Sequence, residues 1–169
     1  MRIFGLAGWS GSGKTTLMTA LIPEFVSRGI TVSTLKHAHH AFDVDQPGKD
    51  SWRHRQAGAQ EVMVSSPNRW ALMHELRGAP EPSFEELVRR MSPVDLLLVE
   101  GFKRYPQPKI EIYRPSLGKP LLHPEDPSVV AIASDEALPG LPLPWLPLSD
   151  AGAIADFILA HDECERWPS

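Results

Sequence analysis

The chain has 169 residues, 42% hydrophobic and 22% charged, with a formal net charge of −4. That balance suits one folded domain and lacks the basic footprint of a general nucleic-acid or membrane-surface binder. A lone cysteine, Cys164, excludes an internal disulfide and a cysteine-built metal cluster.

No apolar run approaches the ~18 residues of a membrane-spanning helix. The first strand begins at once, which leaves no room for a signal peptide, so a cytoplasmic protein is expected. In chain order, Arg2 to Ala7 is a short apolar run that reads as a buried strand. It leads into Gly8-Trp9-Ser10-Gly11-Ser12-Gly13-Lys14-Thr15, with Thr16 next, which matches the phosphate-loop pattern at every fixed position. Glycines let the backbone wrap inward so that its N–H groups surround a polyphosphate that side chains alone could not enclose. The following helix aims its N-terminal partial charge at the same anion. In this pattern Lys14 bridges the outer two phosphates, and the Thr15 hydroxyl holds Mg²⁺.

The helix spans about residues 13 to 27, with Leu17, Leu21 and Phe25 on one stripe and Met18, Ile22 and Val26 beside it. Pro23 should kink or weaken it, and Gly29 should end it. Thr31 to Lys36 is a β-branched second strand. A long polar connection follows, from His37 to Asp50, expected at the mouth of the nucleotide or substrate site. From it Asp43, Asp45 and Asp50 could meet Mg²⁺ or water, and Lys36, Lys49, Arg53 and Arg55 could meet phosphates. Ser51 is placed to cap a short helix over residues 52 to 57.

Glu61 to Ser66 and Arg69 to His74 form a hairpin across Pro67-Asn68, an antiparallel addition to a mostly parallel sheet. Ser83 caps a helix with Glu85 and Glu86 in its first turn. Val94 to Gly101 reads as a central parallel strand with Glu100 at its carboxyl end, where ligands bind in open α/β sheets. Glu100 is therefore assigned to the metal or its water ligands, while Asp95 is structural or solvated. Lys109 to Arg114 alternates like an edge strand. Val129 to Ala133 is a buried strand that ends at Ser134-Asp135. Asp135 could accept from guanine N1–H and N2–H₂, which adenine does not offer. Eleven of the 17 prolines follow Tyr105, so the last third should be loop-rich, closing with a helix from Ala151 to His161.

Four stretches together resemble the MobB family, the adaptor proteins of molybdopterin-guanine dinucleotide biosynthesis. They are the phosphate loop, Leu35 to His40, Asp45 to Ala59, and Leu98-Val99-Glu100-Gly101-Phe102-Lys103. The resemblance implies a GTP-binding homodimer with at most slow hydrolysis, whose partner is the guanylyltransferase MobA, with molybdopterin a possible further ligand. It implies phosphate and Mg²⁺ binding by Gly11 to Thr16, with Lys14 and Glu100 as the catalytic pair. It also implies that the loop from Lys36 to Arg53 lines the nucleotide site or meets the partner.

The expected fold is α/β, a mostly parallel sheet flanked by helices, of phosphate-loop NTPase type with antiparallel hairpin additions. Residues 1–162 should form a single GTP-binding domain, with a frayed tail at 163–169. Slow hydrolysis also follows from the residues themselves, since none is an obvious water-positioning glutamine and Gln56 and Gln60 are candidates by type alone. Arg53, Arg55 and Arg104 are candidate arginines donated in trans. Two alternatives remain: a small-molecule kinase using ATP, and a metallochaperone-like GTPase suggested by His37, His39 and His40.

Overall fold

The computed structural model describes residues 1–38, 42–102 and 105–161. In chain order the elements are β1 (Arg2–Ala7), α1 (Lys14–Ser27), β2 (Val32–Lys36), α2 (Asp50–Gln56), β3 (Glu61–Ser66) and β4 (Arg69–His74). Then come α3 (Phe84–Arg89), β5 (Leu96–Glu100), β6 (Lys109–Tyr113), β7 (Val129–Ser134), β8 (Trp145–Pro147) and α4 (Ala151–Ala160). Two compact units contain them: residues 38–90, and the remainder of the chain.

The larger unit is a six-stranded sheet in the order β2-β5-β1-β6-β7-β8, with every pairing parallel. Parallel neighbours need crossover connections, and α1 supplies the first of them. Its face of Leu17, Met18, Leu21 and Phe25 is buried with Phe4, Leu6, Leu98, Ile110 and Ile112 of the sheet. Ile154, Ala155 and Ile158 of α4 join the same core, and Phe157 packs against it half-buried. Val26 does not; it is 59% exposed, so the apolar stripe of α1 is narrower than the sequence suggests.

Local signals set the ends of these helices. Pro23 does not stop α1, which runs on to Ser27. Its end is made by Gly29 at φ +76, with Gly29 N–H donating to Val26 O and Ile30 N–H to Phe25 O. That paired closure satisfies carbonyls the helix itself leaves open. The Asp150 side chain caps α4 by accepting from Ala153 N–H at 2.9 Å.

The proline-rich last third also holds a short strand, β8, whose Pro147 is tolerated because β8 lies at the edge of the sheet. One expectation fails here. Strand β6 is an interior strand between β1 and β7, not an edge. Its alternating polar residues are buried rather than solvated. Lys109, 2% exposed, donates to Tyr105 O at 2.9 Å and Asp126 Oδ2 at 3.0 Å. Glu111, fully buried, accepts from the backbone N–H groups of Leu122 and His123 at 2.7 and 3.0 Å. Burial still pushes the Glu111 carboxyl above its ordinary range, although both N–H groups oppose it.

In the smaller unit, β3 and β4 pair antiparallel with the expected bounds, but as a sheet of their own rather than as strands of the parallel one. Ser83 and Glu86 close a reciprocal cap on α3. Ser51, expected to cap α2, lies within that helix, whose first residue is Asp50 and whose cap is Lys49.

Candidate nucleotide site

The loop between β1 and α1 has the backbone that its glycines permit. Gly8, Gly11 and Gly13 have φ of +144, +81 and +101, all in the region L side chains avoid. At Gly8 the need is also steric, because a Cβ there would lie 2.6 Å from Ile112 O and 2.7 Å from Ser12 Oγ. Gly13 caps α1 without a side-chain hydrogen bond, and no acidic residue lies in the first turn. The leading N–H groups of α1 thus have neither a capping side chain nor a neighbouring carboxylate, an arrangement that suits an anion. Ser12 Oγ is buried without a hydrogen-bond partner, a further donor at this loop.

Lys14 Nζ folds back over the loop and donates to Gly8 O and Trp9 O, each at 2.9 Å. Phosphate oxygens are stronger partners for an ammonium than neutral carbonyls, so a polyphosphate at this loop would compete for Lys14. Thr15 and Thr16 are exposed at the start of α1.

Glu100 ends β5, in register with Leu6 of β1 on one side and Lys36 of β2 on the other. Its carboxylate is 3.6 Å from Lys36 Nζ, and the two side chains are 12% and 59% exposed. The sequence assigned both residues to the site, and the sheet brings them side by side at the carboxyl ends of parallel strands. Gly101 follows at φ +108, where a Cβ would strike His37 Cβ at 2.7 Å. The His37 ring sits 5.0 Å from that of Phe102.

Arg114, one residue past β6, was missed by the sequence reading. Its Nε donates to Ser12 O of the phosphate loop at 3.0 Å, and its Nη1 donates to Asp135 Oδ2 at 2.7 Å. Asp135 is therefore engaged by an arginine that also touches the loop. The available signal was its place just beyond a strand's carboxyl end, but reading β6 as an edge hid it. Trp9 Nε1 adds a second tie, donating to Pro120 O at 2.7 Å.

The smaller unit carries the other assigned residues. Asp50 and Arg53 are exposed on α2. The Arg55 guanidinium is engaged by three carboxylates of its own unit. It binds Asp45 through Nε at 3.0 Å and Nη2 at 2.7 Å, Asp43 at 2.8 Å and Glu75 at 2.9 Å. The same bonds occupy Asp43 and Asp45, which were expected to meet metal or water. Bonding to Arg55 holds the Asp45 carboxyl below its ordinary range. Among the described residues no three histidines, cysteines or acids gather as a metal set. His39, His40 and Arg104 lie outside the described residues, as does the tail expected to fray.

A parallel sheet, a glycine loop entering a helix and a carboxylate at the end of the neighbouring strand define a phosphate-loop NTPase fold. The comparisons narrow this class to one family. Residues 3–135 match the family model of molybdopterin guanine dinucleotide synthesis protein B, MobB. The molybdopterin-guanine dinucleotide biosynthesis adapter protein of Haemophilus influenzae is 44% identical over 98% of this chain and 88% of its own. The Escherichia coli protein of the same description is also 44% identical, over 93% and 91%. Among solved structures, one of molybdopterin-guanine biosynthesis protein B superposes with a TM-score of 0.72 at 26% identity, covering 94% of this chain and 98% of that one. Bacillus subtilis MobB gives 0.69 at 25% identity, over 95% and 97%. The chain belongs to the MobB family, and so to molybdopterin-guanine dinucleotide biosynthesis.

Proposed function

We propose that the protein is a GTP-binding adaptor that serves a MobA-like guanylyltransferase and hydrolyses GTP slowly at most. The observation that carries this reading is the phosphate loop itself, with glycine conformations and an uncapped helix start that suit a polyphosphate. Gly11, Ser12, Gly13 and Thr16 bind phosphates. Lys14 exchanges its two carbonyl acceptors for phosphate oxygens. Thr15 and Glu100 hold Mg²⁺ or its waters, and the ion supplies charge neutralisation beside the phosphates. Lys36 lies next to Glu100, within reach of the same charge. Asp135 reads guanine.

Residues 1–162 act as one GTP-binding functional domain. The protein acts in the cytoplasm as a homodimer, and the exposed apolar Met63, Trp70 and Leu72 on the hairpin support the dimer.

Calorimetric titration of GTP and of ATP, each with Mg²⁺, into the wild type and Lys14→Ala tests the proposal. GTP should bind more tightly than ATP, and Lys14→Ala should weaken it at least tenfold. Tighter binding of ATP would replace the adaptor with a kinase reading.

A further inference from the structure

We propose that Arg114 is the positioning residue of the nucleotide site, aiming the Gly13 amide at phosphate and holding Asp135 at the base. The inference rests on the GTP reading above and adds a residue and a coupling to it. A trans peptide is planar, with its C=O and N–H pointing in opposite directions. Arg114 Nε holds the Ser12 carbonyl at 3.0 Å, so the N–H of the same peptide, that of Gly13, points away from the guanidinium. Outward carbonyls and inward amides are what a phosphate cradle requires. The other end of the same planar group holds Asp135 Oδ2 at 2.7 Å. A guanidinium is a rigid fork, so the two bonds fix the loop and the carboxylate relative to one another.

Gly13 lies against this guanidinium, where a Cβ would make ordinary contact at 3.6 Å from Arg114 Nη2 and 3.7 Å from Nε, so its φ of +101 and not a lack of space calls for glycine. The Arg114 and Asp135 side chains are 36% and 39% exposed, and an ion pair that open to solvent adds little to folding. What Arg114 contributes is orientation. Its loss should therefore reach binding before it reaches stability.

The test is calorimetric titration of inorganic triphosphate, GTP and ATP, each with Mg²⁺, into the wild type, Arg114→Ala, Arg114→Lys and Asp135→Asn. Arg114→Ala should weaken triphosphate about tenfold, as losing one aimed amide contact would. It should also erase the preference for GTP over ATP, with the melting temperature within a few degrees of wild type. Arg114→Lys, which lacks the fork, should recover triphosphate binding only in part. Asp135→Asn should keep triphosphate affinity and lose the GTP preference.

If Arg114→Ala does not fold, Arg114→Lys and Asp135→Asn carry the same comparison. Triphosphate affinity within twofold of wild type in the Arg114 variants would overturn the proposal. A wild type that binds triphosphate but prefers neither nucleotide would overturn the guanine reading together with the Asp135 half. The phosphate half is then read from triphosphate alone. A wild type that binds none of the three would overturn the nucleotide reading and with it this inference.

Discussion

Lys109 Nζ lies 3.0 Å from Asp126 Oδ2, tying the first residue of β6 to the segment that precedes β7. The lysine is 2% exposed on an interior strand, and that carboxylate and the Tyr105 carbonyl both stabilise its charge. Burial tends to raise the Asp126 carboxyl, but the Ser128 hydroxyl and Lys109 outweigh it and hold the group below its ordinary range. Lys109→Ala should cost about 3 kcal/mol, the low end for breaking a buried pair, because Asp126 can partly rehydrate. Urea unfolding would read this. Lys109→Met combined with Asp126→Asn should unfold at a higher urea concentration than Lys109→Ala, since neither charge is then stranded.

Gly8 and Gly11 have the same residue type, the same loop and a positive φ, yet they should answer alanine differently. A Cβ at Gly8 meets Ile112 O at 2.6 Å, whereas one at Gly11 meets nothing within 4 Å. Gly11→Ala carries backbone strain alone, about 1 kcal/mol. Gly8→Ala adds a clash of the new methyl group with the Ile112 carbonyl, a backbone group with no room to yield. Thermal melts should rank wild type first, Gly11→Ala next and Gly8→Ala well below. Equal melting temperatures for the two variants would refute the steric argument.

Asp95 accepts from Thr31 Oγ1 at 2.6 Å and from Thr31 N–H at 2.8 Å, joining the approach to β2 to that of β5. The Thr31 hydroxyl and then its N–H hold the Asp95 carboxyl below its ordinary range. A group depressed on folding adds stability above its unfolded pKa of ~3.9, and that stability is lost as pH falls through the folded value. Wild type should therefore exceed Asp95→Asn in stability at neutral pH, with the gap closing below about pH 4. A gap that stays constant down to pH 3 would show that the ionised carboxylate is not what Thr31 stabilises.

Arg55 is the hub of the smaller unit, bonded to Asp43, Asp45 and Glu75, and these partners raise its pKa further. Asp45 is 5% exposed, so Arg55→Ala leaves a carboxylate with little access to water. Limited proteolysis should then cut faster within residues 42–90, while hydrogen exchange in β1, β5 and β6 stays as in the wild type. Uniform loss of protection would mean that the two units unfold as one.

The elements that were legible are those whose signals are local. The glycine loop, the hairpin across Pro67-Asn68, the Ser83 cap and the apolar run ending at Glu100 each combine spacing with turn chemistry in one short window. The strand at Trp145 was not legible, because its prolines look like loop and only an edge position makes Pro147 acceptable. In β6, alternation of Lys109, Ile110, Glu111 and Ile112 is the pattern of a half-solvated strand. Nothing nearby in sequence announces that Asp126 and the Leu122 and His123 amides will satisfy its polar residues.

The sequence by itself determined the phosphate loop, the strand and helix on either side of it, and the acid at the end of β5. These follow from residue type at fixed spacing, which is chemistry written within a few bonds. Only the tertiary structure decided that Arg114 joins Ser12 to Asp135, that Lys36 stands beside Glu100, and that Arg55 is spent on Asp43, Asp45 and Glu75. Each of these depends on which strands become neighbours and which charges are taken out of water together. Partners 102 residues apart, as Arg114 and Ser12 are, meet only after the sheet has ordered its strands.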